Sequence, residues 1–180
     1  MLALRKMKKL ALLIIVGLCF GVSGFAETAT TRKDFNTYCT ANIGLWTGEV
    51  ASVIGESVAG EKGESVTNYW EAQWANGGKL LTSKAVGPRG SVRSMTYYDV
   101  VSKKICATAV SSSGLVNQHK IHREGEKWIR LTHQTAPDGT IREFMSTITW
   151  SGNTITVVIN RMKAESIVST QTNIWHRVEK

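Results

Sequence analysis

From Leu45 onward the chain alternates apolar and polar residues with period two, and short turn-forming clusters interrupt that alternation at regular intervals. Period two sends successive side chains to opposite faces of a strand, so a chain that keeps it up for most of its length is restricted to sheet architectures. The interruptions are "ANGG" at Ala75 to Gly78, "GPRG" at Gly87 to Gly90, "SSSG" at Ser111 to Gly114, "EGE" at Glu124 to Glu126, "PDG" at Pro137 to Gly139 and "SGN" at Ser151 to Asn153. Each supplies Gly, Pro, Asn or Asp where a hairpin needs unusual φ values. The segments between them predict strands over Leu45 to Val53, Ser65 to Trp74, Lys79 to Val86, Ser91 to Asp99, Lys104 to Ser111, Leu115 to Arg123, Lys127 to Gln134, Thr140 to Trp150 and Thr154 to Arg161, with a tenth inside Ile167 to Val178. No connection is long enough for a parallel crossover, so the pairing should be an antiparallel meander. An open meander of this length leaves two unpaired edges, and closure removes them. The expected class is all-β: a single antiparallel up-and-down barrel of about eight to ten strands.

Helical spacing occurs once past the leader. "TTRKDFNTYCTAN" offers Thr31 as N-cap, Asp34 in the first turn, and Phe35, Tyr38 and Cys39 on one face, which predicts a short N-terminal helix. Ahead of it, residues 1–26 have the three parts of a secretory signal: Arg5, Lys6, Lys8 and Lys9, an apolar run from Leu10 to about Phe20, and small residues ending at Ala26. The run is shorter than the roughly 20 residues a spanning helix needs, so cleavage and export, periplasmic or secreted, are expected, with no membrane span in the mature chain. Lipid attachment through Cys19 is disfavoured by Leu18 before it. The expected organisation is a leader over 1–26, a lead with the helix over 27–42 and the barrel over 43–180.

Four of the 22 Lys and Arg lie in that leader, which halves the net charge from +8 to +4 once it is removed. The remaining basic residues are dispersed, which argues against nucleic acid as a partner. The mature chain keeps two cysteines, Cys39 and Cys106. In an oxidising compartment such a pair invites a disulfide, worth roughly 4 kcal/mol in the chain-entropy account, and two buried thiols are the alternative.

Face parity groups Val66, Trp70, Ala72 and Trp74; Phe144, Ile148 and Trp150; and Ile155, Val157 and Ile159, each as an apolar inner set. A barrel of about eight strands is either filled by such side chains or holds one small ligand. The stretch "GLWTGEV", with "WANGGKLLTSKA", "YYDVVSKK" and "APDGTIREFMSTITWSGNTITV", resembles the calycin superfamily, and most closely the lipocalin-like barrel domains of exported bacterial proteins. The resemblance covers about Ile43 to Val178. It implies that Trp46 packs across a closed end, with Gly44 and Gly48 allowing close approach there. Nitrobindin-type haem barrels are also similar: Gly44, Trp46 and Gly48 match their opening motif and His176 their proximal histidine, although their glycine run is missing.

The sequence offers no assembled catalytic site. "GESVAGEKGES" departs from a phosphate loop at Glu61 and Lys62, no nucleophile elbow occurs, and Glu49, Glu71 and Glu143 stand apart. His119 and His122, three apart on a strand, face opposite ways and His133 is alone, so no metal site is expected. The expectation is a non-enzymatic barrel without a cofactor, holding a small, mostly apolar ligand against Trp70, Trp74, Phe144 and Trp150. Haem or gas binding through His176 and a filled barrel serving as an interaction module are the two competitors.

Overall fold

In the computed structural model the described residues are 28–51 and 65–179; the leader with Cys19, and the stretch containing Glu61 and Lys62, lie outside them. One helix, α1 (Arg32–Asn42), precedes ten strands: β1 (Gly44–Ala51), β2 (Ser65–Ala75), β3 (Leu80–Gly87), β4 (Gly90–Asp99), β5 (Lys104–Ser111), β6 (Val116–Glu124), β7 (Lys127–Thr135), β8 (Ile141–Ser151), β9 (Thr154–Lys163) and β10 (Ser166–Arg177). Each strand pairs antiparallel with the next, and β1 also pairs with β10, so the sheet is a closed ten-stranded barrel. No helix among the described residues is long and apolar enough to cross a membrane.

The helix forms where its signals lie. Thr31 is the N-cap and makes a reciprocal capping box with Asp34, which satisfies two of the otherwise orphaned first-turn donors. Phe35, Tyr38, Cys39 and Asn42 are its buried face. That face plugs one end of the barrel: Phe35 meets Trp74 edge-on at 5.7 Å, and Tyr38 meets Trp128 at 5.1 Å and Trp150 at 5.8 Å. Two hydrogen bonds tether the approach to the helix, Thr30 N–H to the Lys103 carbonyl at 2.8 Å and the Tyr98 hydroxyl to the Thr30 carbonyl at 2.9 Å.

The stretch "GLWTGEV" starts at this plugged end and runs along β1 toward the other. Trp46 is fully buried, donates its indole N–H to the Asn42 carbonyl at 3.0 Å and stacks on Trp70 at 6.0 Å. The Arg177 guanidinium lies over the Trp46 ring, 4.1 Å from its centroid, and donates to the carbonyls of Ile43 and Ala41. α1 has no basic residue in its last turn. Arg177 therefore supplies from β10 the positive charge that the C-terminal end of a helix favours, while binding Trp46 through a cation–π contact. The glycines make room for β10 more than for the helix: a Cβ on Gly44, which has φ of +123°, would lie 2.5 Å from Arg177 Nη1, and one on Gly48 would lie 2.6 Å from the Trp175 ring.

The barrel tilts its strands, and the register shows it. Trp74, Leu81, Thr96, Ala107, His119, Thr132 and Phe144 are paired in succession from β2 to β8. That single inward row begins on Trp74 under the helix and climbs away from it, since β8 runs toward the helix end and Phe144 lies near its start.

Cys39 and Cys106 are not joined, which corrects the expectation of a disulfide between them. Cys39 is on the buried face of α1, whereas Cys106 has the opposite parity to the inward Ile105 and Ala107 on β5, so the barrel wall separates the two. Burial pushes the Cys39 thiol up to about 12, which keeps it protonated and unreactive.

Gly48→Ala should destabilise the barrel by about 1–3 kcal/mol, because the added methyl meets the Trp175 ring and the Ile174 carbonyl in a tightly packed seam. Urea unfolding followed by circular dichroism would measure it, and an unchanged midpoint would refute the packing assigned to this glycine.

Candidate functional site

The barrel interior is not filled. A cavity of about 520 Å³ extends from the floor made by Tyr38 and Asn42 of α1 up between the strands to the Val50, Val66 and Arg89 level at the other end. This corrects the expectation of a filled barrel among the competitors. The space exists because the inner faces of β3 to β5 carry small side chains, Ser83, Ala85, Ser94, Ala107 and Ala109, opposite larger ones on β8 and β9 such as Phe144, Ile148 and Val157.

Of the four residues expected to line a ligand site, Trp70 and Phe144 do, while Trp74 and Trp150 do not. All four face inward. Trp74 and Trp150, however, stand at the plugged end, one against Phe35 and the other against Tyr38 and Trp128, so they belong to the closure. Gly44 and Trp46 likewise stay in the closure beneath the cavity floor, and Gly48 packs against Trp175, which does line the cavity.

His176 has the parity opposite to the cavity-lining Asn173 and Trp175 and lies exposed on the outer wall, its Nδ1 3.3 Å from the Thr154 hydroxyl. Ile174, which shares its face, is 42% exposed. A histidine there cannot ligate iron held inside the barrel, which corrects the placement behind the haem reading. Among the described residues no group of three or more His, Cys, Asp and Glu comes together to hold a metal ion. His119 faces the cavity, and His122 turns the other way with its Nε2 3.0 Å from Glu124 Oε1.

The lining is more polar than the sequence suggests. On β6, β7 and β8 three tiers of polar side chains rise from the helix end. Lowest is Arg130, whose Nη2 is 3.4 Å from the Ser146 hydroxyl; next His119, whose Nδ1 is 2.8 Å from the Thr132 hydroxyl; and then Gln134, which donates to Asn117 Oδ1 at 3.0 Å. The facing walls supply the apolar half, including Leu81, Val92, Ile155 and Trp175. Sequence reasoning missed Arg130 because β7 inverts the usual pattern. Trp128, Arg130, Thr132 and Gln134 point in, while Ile129, Leu131 and His133 point out. The available signal was an arginine sharing parity with a tryptophan in "KWIRLTHQ".

Electrostatics follow from enclosure. Arg130 keeps some exposed surface, but that surface faces the cavity, and its Nε is buried without a hydrogen-bond partner. Burial pulls Arg130 below its ordinary value, opposed by the Tyr38 phenol beside it, yet a guanidinium remains charged at neutral pH. Burial raises Tyr38, with Arg130 working against it, so the phenol stays protonated. His119 is pushed down to about 3, first by burial and then by the nearby Arg130 charge. It is neutral at any ordinary pH. Trp150 Nε1 and Gln171 Oε1 are also buried without partners.

No family model matches the chain, and no curated protein does.

The His119 shift has a sign. Unfolded, this imidazole takes up a proton near pH 6.5; folded, it resists until about 3. Its contribution to stability is therefore intact above pH 6.5 and is lost as the pH falls toward 3, by at most about 1.4 kcal/mol per pH unit. His119→Gln should flatten that slope in denaturant titrations run between pH 7 and 4, and an unchanged slope would show that the ring is not held neutral.

Proposed function

We propose that this chain is an exported, non-enzymatic barrel that binds one small, largely apolar molecule in its interior. The supporting observation is the cavity of about 520 Å³, plugged at one end by an aromatic-faced helix and lined on β2 to β5 and β9 by apolar side chains such as Trp70, Leu81, Ala107 and Val157 together with a few small polar ones. Its size falls within the range of small-molecule sites, and its mixture of apolar walls with a few convergent polar groups is the composition such sites have. The resemblance to calycin barrels points the same way, and the composition of residues 1–26 supports export. No carboxylate pair faces the cavity among the described residues, and the Thr132 hydroxyl there meets an imidazole, His119, whose pKa is pushed down to about 3 and makes it a poor base, so binding is favoured over turnover.

The polar tiers on β6 to β8 refine the expectation of a mostly apolar ligand. They favour a molecule with a polar end directed at those strands. The haem reading has no supporting geometry at His176 and is not retained.

N-phenyl-1-naphthylamine, a neutral apolar fluorophore, should brighten on saturable binding at one molecule per chain. Ala107→Trp, which grows a side chain into the cavity from β5, should weaken that binding at least tenfold while the β-sheet circular dichroism spectrum is kept. No enhancement with the unmodified protein, or equal binding by the folded variant, would refute an interior site.

A further inference from the structure

At Arg130 the cavity holds a buried cation that no carboxylate among the described residues answers. Arg130 projects from β7 into the lower third of the barrel, its Nε buried and unpartnered, and its single hydrogen bond to a side chain is a long one of 3.4 Å from Nη2 to Ser146. No Asp or Glu lines the cavity among the described residues, and neither the His122–Glu124 nor the His133–Glu143 contact involves Arg130. Proteins rarely bury a charge without pairing it, because removing an ion from water is costly unless a counter-charge or several hydrogen bonds replace the water. A buried arginine fork left open toward a cavity matches the geometry of a carboxylate, which takes two parallel N–H bonds.

The groups around Arg130 are all neutral and able to hydrogen-bond. The Tyr38 phenol lines the floor, Ser146 flanks the guanidinium, and His119 and Thr132 stand one tier above. With a single fixed positive charge and neutral donors nearby, the site complements one negative charge better than two. A phosphate dianion would remain half-compensated, whereas a carboxylate would be matched. Above and beside this point the lining turns apolar, with Phe144, Ile148, Val157 and Leu81.

We propose that Arg130 anchors the carboxylate of an amphipathic ligand, which enters head first, sets its anionic end against Arg130 and Tyr38 over the helix plug, and leaves its apolar body along β8, β9 and β3. This rests on reading the interior as a ligand site, and it adds the chemical class and the orientation. The polar tiers above Arg130 then form the side along which the head group passes. The small residues of β3 to β5 hold the space for the body.

The test is calorimetric titration of the full mature chain with two probes of equal length, dodecanoate and dodecan-1-ol, at fixed ionic strength. The unmodified protein should bind dodecanoate at least tenfold more tightly than the alcohol. Arg130→Met, which removes the charge but keeps the stem, should abolish that preference while still binding dodecan-1-ol. Arg93→Met, on the exposed outer face of β4, should retain it, and Arg89→Met probes the far end of the cavity on the β3–β4 turn. Equal affinities for the two probes in the unmodified protein would overturn the anchor while leaving the binding reading intact, and this arm needs no variant to fold. Preference lost in Arg89→Met but kept in Arg130→Met would also overturn it, since the head group would then sit at the other end. Failure of both probes to bind would remove the interior site itself and the anchor with it.

Discussion

The pairing of β1 with β10 is the constraint on which everything else in this molecule rests. Nine hairpin contacts between sequence neighbours would make a long curling sheet with two raw edges and a solvated inner face. The tenth contact, Trp46 to Glu49 against Ile174 to Arg177, turns the inner face into an interior. Once it forms, side chains that alternate inward are cut off from water, and the meaning of each changes. An inward Ile155 becomes core, an inward Ala107 becomes vacant space, and an inward Arg130 becomes a buried charge. The seam is secured at its most demanding point by one side chain. Arg177 binds the helix carbonyls and the Trp46 ring together, so the floor of the cavity and the closure of the wall share a single fastening.

Much of the fold was legible because the signals that carry it are local. Period-two alternation and turn residues act within a few positions, and the strands over Lys104–Ser111, Ser65–Ala75 and Lys127–Thr135 fall within a residue of where those signals place them. Thr31 and Asp34 gave the helix start for the same reason, since a capping box spans four residues. Ring closure is a global property, yet it too could be inferred, because the alternative exposes edges that soluble β proteins avoid.

The candidate site was only partly legible, and the reason is geometric. Alternation tells which face a residue takes but not how far along a tilted barrel it stands. Trp70, Trp74, Phe144 and Trp150 all face inward, yet two of them lie above the plug and two within it, a distinction set by register across several strands. On β7 even the face was obscured, because an apolar interior was assumed and this strand puts its polar residues inside. Cys39 and Cys106 illustrate the same limit from the other side. Their number suggested a bond, but one sits beneath the wall and the other on its outside. His176 matched the position of a proximal histidine, but with Ile174 it lies on the outer face of β10.

The fastening at Arg177 also orders events in time. Its acceptor on Ile43 is 134 residues away in the chain, whereas nearly every other strand contact joins neighbours across a short turn. Local ribbons can zip quickly, but the seam must wait for β1 and β10 to find one another, a search whose entropic cost grows with their separation. Until β10 has been delivered, the nascent polypeptide is an unrolled ribbon with its greasy side uncovered. Its vulnerability to proteases and to sticking is thus concentrated in the interval just before the last strand arrives.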